Sequence, residues 1–183
     1  MATLNKVRRD HANMARLLHI LVLRHQSLAD GERPDFHLMR DIVDYILDYM
    51  NGFIKPLERL YSEHQAAREF KAGKEGQQLA EYYQHLRERL NLLSENIDMI
   101  LKDVVVPMDR FADDLKAYLD AHQEYLRAER ELLFPFFREH LTEEEQQDLL
   151  KLLPDGAQEN LARLREDYPQ LYREFKEAPS PFV

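Results

Sequence analysis

Residues 111–136, FADDLKAYLDAHQEYLRAERELLFPF, place Phe111, Leu115, Tyr118, His122, Tyr125, Glu129, Leu132 and Phe136 at alternating steps of four and three. Steps of that kind return to one face of an α-helix, which turns once in about 3.6 residues. The stretch predicts a long helix with a buried seam. That seam is interrupted by three polar residues, His122, Tyr125 and Glu129, and these are the first candidates for a functional site.

Working outward, three more segments carry the same period. From about Leu4 to Ala29 the stripe is Val7, Met14, Leu18, Leu21 and Leu28, with His11 and His25 on the same face, and Asp30-Gly31 ends it. A second helix is predicted from an N-cap at Asp35 to about Ala72, with Leu47, Met50, Ile54, Glu58 and Tyr61 on one line. Pro56 lies inside it, removes the hydrogen bond to the Gly52 carbonyl and predicts a kink. A third runs from about Gln77 to Lys102 along Leu79, Tyr83, Leu86, Leu90, Leu93, Ile97 and Ile100. Val104 to Pro107 then reads as an extended link into the last long helix.

Beyond it, Thr142 and Glu145 have the spacing of a capping box that starts a short helix through about Leu152, stopped by Pro154-Asp155-Gly156. Further helical turns are expected between Ala157 and Phe175, and a loose end at 178–183. The fold expected is all-α: an up-down-up-down four-helix bundle over about residues 4–140. A helical extension follows over about 142–176, the whole of 1–183 reading as one domain.

Composition agrees. Only 5 of 183 residues are glycine and 32% are charged, which suits long helices better than turn-rich β-structure. The absence of cysteine excludes disulfides, thiolate metal sites and cysteine nucleophiles, and fits a cytoplasmic location. The N-terminal MATLNKVRRDHANMARLL has no apolar core and cleavage site of a secretory signal, and no apolar run approaches a membrane span. A net charge of −9 without a basic stripe does not suit a phosphate backbone, so neither nucleic acid nor membrane is an expected partner. A homodimer or a protein partner is compatible with an acidic bundle carrying extra helices. There is no Gly-rich phosphate loop, no G-x-S-x-G elbow and no H-E-x-x-H.

The polar residues on buried stripes are His11, His25, Glu58, Tyr83, His122, Tyr125 and Glu129. A buried carboxylate needs a cation, a metal or strong donors, and glutamates from two helices of a bundle are the minimum for a carboxylate-bridged di-metal site. His25 is excluded from sharing a site with His11, being about 21 Å further along the helix. His19, His37, His64 and His140 read as surface or turn residues, and Glu143-Glu144-Glu145 as charge suited to a helix N-terminus.

At this point a resemblance becomes specific. Asp10-His11, Asn13-Met14 and Leu17-Leu18 resemble the first helix of the hemerythrin-like (HHE cation-binding) family, in which that histidine is a metal ligand. ADGERPDFHLMRDIVDYILDY, residues 29–49, resembles the following loop and second helix. The family continues with His-His-Pro-x-Glu, its first His and its Glu being ligands; this chain has Ile54-Lys55-Pro56-Leu57-Glu58. The family's last helix carries His-x-x-x-Glu and then Phe-Pro; here Tyr125 precedes Glu129, with Phe134-Pro135 after them. On the third helix Tyr83 occupies the stripe position of the family's histidine, while His85, the only histidine of that helix, lies about 200° round from it at 100° per residue. The resemblance covers roughly residues 5–150.

It implies a degenerate ligand set. His11, Glu58 and Glu129 remain, Ile54 stands at a lost ligand position, and Tyr83, Tyr125, His85 and His122 are possible further ligands or core hydrogen-bond partners. Three readings follow. The first is a binding or regulatory module, not an enzyme, with a shared buried Glu58–Glu129 network and no stoichiometric cofactor. The second is a non-haem iron protein with redox or O₂/NO-related chemistry, using the remaining carboxylates, His11 and tyrosine phenolates. The third is an apolar-ligand pocket where the metals were, lined by Ile54 and the two tyrosines.

Overall fold

The computed structural model describes residues 2–152 and 157–178; Pro154-Asp155-Gly156, expected to stop a helix, lies outside the described residues, as does most of the end expected to be loose. Among the described residues the chain is all-helical, with no strand. The long helices are α1 (Ala2–Ala29), α2 (Phe36–Glu63), α4 (Lys74–Leu101) and α5 (Met108–Ala128). Between and after them come α3 (Gln65–Ala72), a π-helical turn (Glu129–Leu133), α6 (Phe134–His140), α7 (Glu143–Leu152), α8 (Ala157–Asp167) and α9 (Pro169–Glu177). None is long and apolar enough to cross a membrane.

The punctuation follows local chemistry. Gly31 takes φ 84° after α1, where residues without a β-carbon are favoured. Asp35 caps α2, accepting from the Leu38 amide at 3.1 Å. Thr142 and Glu145 form the reciprocal capping box, each bond 3.2 Å. Residues 104–107 are the extended link, and Pro107 is the N-cap of α5.

Three expectations need correction. The second helix does not run to Ala72: it ends at Glu63, and His64 takes an extended conformation (φ −115°, ψ 129°) that starts α3 in a new direction. No glycine or proline forces this break. Tertiary packing does, because α3 turns back to bury Ala67 completely and to stack Phe70 on Phe136, ring centroids 4.4 Å apart, and on Tyr61 at 6.4 Å. The third long helix begins three residues earlier than expected, at Lys74. Gly76 makes that possible: a β-carbon there would meet the Phe70 carbonyl and come within 2.6 Å of the Lys71 Cα.

The third correction lies in the seam that opened the sequence reading. Helix α5 widens at Glu129–Leu133, and the amide of Phe134 reaches the Glu129 carbonyl five residues back. Pro135 explains it: it has no amide to donate and its ring would collide with the carbonyl four residues earlier, so an added residue in the turn relieves both faults. The buried residue after Glu129 is therefore Leu133, fully buried, and the expected Leu132 is only half-buried.

Helix α5 packs on α4 and α1, α4 on α2, and α2 on α1, so the four long helices touch in a closed ring around one apolar core. The C-terminal helices lie on α1 and α2. Arg24 pairs with Glu174 at 3.0 Å, the Tyr168 hydroxyl donates to Asp41 at 2.6 Å, and Arg165 and Arg16 stack over Phe175 at 4.4 and 5.3 Å.

Candidate functional site

Two spaces meet at a wall made by Tyr83 and Tyr125, whose rings stand 5.7 Å apart. On the inner side is a small cavity of about 20 Å³. It is bounded by His11 on α1, Tyr49 on α2, His122 and Tyr125 on α5, and Glu129 at the head of the π-helical turn. That is room for about one water molecule. On the outer side is an open cleft of about 290 Å³ between α2 and α4, closed at its end by α3.

The inner cavity is mostly apolar, with Met14, Met50, Phe53 and Leu126 in its lining, and the few polar groups set among them are almost uncharged. The His11 Nε2 donates to the Leu126 carbonyl at 2.8 Å, which fixes its tautomer, and burial followed by the charge of Arg130 lowers its pKa, against the raising effect of that bond. His122 is hydrogen-bonded through Nδ1 to the Tyr118 hydroxyl at 2.7 Å, and burial, with His11 close by, pushes its pKa down to about 3. Burial raises the Glu129 carboxyl to about 7, against the opposing effect of its hydrogen bond with Tyr125. Tyr125 is held well above the usual phenol range by burial and by Glu129. Near neutral pH both imidazoles are neutral, the phenols keep their protons, and Glu129 is the group poised to titrate.

Glu58 is not part of this network. It is exposed, which corrects the expectation that Glu58 and Glu129 share a buried site. The α2 row that enters the core is Met39, Ile42, Ile46, Met50, Phe53, Leu57 and Leu60, apolar throughout. The line through Ile54 and Glu58 runs beside it, and burying it would place a carboxylate where a leucine fits. His85 is exposed, whereas Tyr83 faces Tyr125, so the α4 position at the site belongs to Tyr83. His122 is buried beside Tyr125, ring centroids 6.4 Å apart.

The sequence reading missed Asp10 and Tyr49. Asp10 is 5% exposed, paired with Lys6 at 3.0 Å, and hydrogen-bonds the Tyr49 hydroxyl, whose pKa burial and Asp10 together raise. The signal available was Lys6 one turn before Asp10.

The donors left by the resemblance do not fit a di-metal centre. Glu58 lines the open cleft on the far side of the Tyr83–Tyr125 wall, and of the two that share the inner cavity, His11 is committed through Nε2 to a backbone carbonyl, which leaves Glu129 as the one carboxylate there. Among the described residues no group of three or more His, Asp or Glu side chains is arranged to hold a metal ion.

The cleft has a different chemistry. Ile54, Leu57 and Leu79 form its floor, the rings of Tyr61, Tyr83 and Tyr125 its walls, and Glu58, Lys71 and Arg87 its rim. The Lys71 ammonium sits 5.5 Å over the Tyr61 ring. The Tyr83 hydroxyl is shielded from solvent, with the Arg87 guanidinium as its hydrogen-bonding neighbour. Burial raises its pKa, with Arg87 lowering it and Glu58 raising it, which puts that hydroxyl in the fields of both rim charges. Among known proteins, no family model matches this chain, and no curated protein or solved structure does.

Proposed function

We propose that the protein is a binding module: an up-down-up-down four-helix bundle of hemerythrin-like type whose metal centre has given way to a small-molecule cleft. The closed ring of contacts among α1, α5, α4 and α2 supports the bundle. One observation carries the function. The three positions at which the resemblance calls for histidine, Ile54, Tyr83 and Tyr125, all line one cleft of about 290 Å³. Replacing imidazoles by a sec-butyl side chain and two phenols removes metal donors and supplies apolar and aromatic surface. The volume lies at the lower end of small-ligand pockets, and an apolar lining with a few polar groups at its edge is their usual composition.

Titration with naphthol, followed by the methyl resonances of Ile54, Leu57 and Leu79, tests this. Saturable shifts are expected, and Ala80→Trp, which fills the cleft from an exposed position on α4, is expected to abolish them. Near-stoichiometric iron in protein from iron-rich medium, lost on Glu129→Ala, would overturn the reading, as would an absence of saturable shifts.

A further inference from the structure

We infer that the ligand of the cleft is a monoanion with a flat apolar body, such as an aryl carboxylate, its anionic group set between Lys71 and Arg87. The inference rests on the binding reading above and specifies its chemistry. Charge on the rim is the first argument. Lys71 and Arg87 flank the cleft, and neither forms an ion pair with a carboxylate among the described residues, in a chain whose net charge is −9. Most lysines and arginines of the chain likewise have no acid within ion-pair distance among the described residues, and what sets Lys71 and Arg87 apart is their shared place at the edge of one apolar, aromatic-walled cleft. Two unneutralised cations beside aromatic walls form a receptor for an anion carried on an apolar body.

The same rim selects valence. Glu58 is its single acid, it has no basic partner within ion-pair distance among the described residues, and it makes the rim net positive by one. A second anionic group on the ligand would face Glu58. A cationic ligand would face Lys71 and Arg87, and Lys71 already covers the open face of Tyr61. The Tyr83 hydroxyl lies beside Arg87 on the same helix, one turn away, so an anion held by Arg87 comes to rest against the aromatic wall. Flatness follows from the walls, since the Tyr83 and Tyr125 rings meet at 60° and present edges and faces to a ring, which aromatic pairs favour.

A charge series on one ring system tests this with the full chain: naphthoate, naphthol, naphthylmethylammonium and naphthalene dicarboxylate, titrated by calorimetry. Naphthoate is expected to bind about tenfold more tightly than naphthol, the effect of one charge-assisted hydrogen bond at a half-open site. Arg87→Ala and Lys71→Ala are each expected to weaken naphthoate several-fold and leave naphthol unchanged. Glu58→Gln is expected to tighten naphthoate and to rescue the dicarboxylate. These three side chains are exposed, so the variants keep the core intact. Naphthol binding as well as naphthoate, or the ammonium binding best, overturns the anion inference and leaves the binding module standing. Failure of all four probes overturns both.

Discussion

Replacing Glu129 by glutamine removes a buried carboxyl that, unlike Asp10 with Lys6, has no cation paired with it among the described residues, and keeps an acceptor for the Tyr125 hydroxyl. The folded protein holds the Glu129 carboxyl at about 7 against an ordinary value of 4.5, mainly through burial. A folded-state pKa above the unfolded one means that the native state binds more protons between those two values, so stability falls as pH rises through that window. The span is about 2.5 pH units, which at about 1.4 kcal/mol per unit is about 3 kcal/mol. His122 acts with the opposite sign. Its folded pKa is about 3 against 6.5, so the unfolded state binds more protons and stability rises with pH across that interval. Between 4.5 and 6.5 the two slopes oppose each other, and above 6.5 only the Glu129 loss continues. Chemical denaturation followed by far-ultraviolet circular dichroism at half-unit steps from pH 4.5 to 8 reads the difference directly. Glu129→Gln is expected to match the parent near pH 4.5 and to exceed it by about 3 kcal/mol at pH 8, a rise of roughly 6–12 °C in Tm. A difference that is the same at both ends of the range, or a variant less stable at pH 8, would refute the account of Glu129 as a desolvated acid.

Gly76→Ala is expected to destabilise by about 1–3 kcal/mol in thermal unfolding, because its β-carbon meets the backbone of Phe70 and Lys71; an unchanged Tm would mean that α3 does not dock against the start of α4. Thr142→Ala should cost about 1 kcal/mol by equilibrium denaturation through loss of the capping box at α7, and Glu145→Ala added to it should cost little more. Tyr118→Phe leaves the fully buried His122 Nδ1 without its 2.7 Å partner and should cost about 1–3 kcal/mol; a neutral result would show that the pair contributes nothing net.

What could be read in advance was whatever depends on neighbours in sequence. Caps at Asp35 and Thr142, the turn at Gly31 and the extended link at 104–107 rest on interactions spanning a few residues, and each stands where local chemistry places it. The break at His64 does not. It answers to Phe70 meeting Phe136, a contact across 66 positions of chain that no local pattern announces. Gly76 was the visible sign of it, since a buried glycine near a helix start marks backbone approaching backbone.

The site was legible on α5 and α1 and misread on α2, for a reason of geometry. At 100° per residue, adjacent rows of a helix differ by one position, and a line that includes polar residues can compete with an apolar one only if something pairs those residues. On α5 no better row existed: His122 and Glu129 are buried because each has a partner one turn away on the same row, Tyr118 for His122 and Tyr125 for Glu129. On α2 a wholly apolar row through Phe53 and Leu57 was present, and it takes the core, turning Glu58 outward by one position. That single rotation separates the two carboxylates and gives Glu58 to the rim of the cleft, beside Tyr83 and opposite the charge of Arg87. The same offset explains why Ile54 borders the larger cleft rather than the small cavity next to Glu129. A histidine at residue 54 would thus reach the cleft side of the Tyr83–Tyr125 wall, so restoring the family's residue there alone gives no reason to expect a metal site with Glu129.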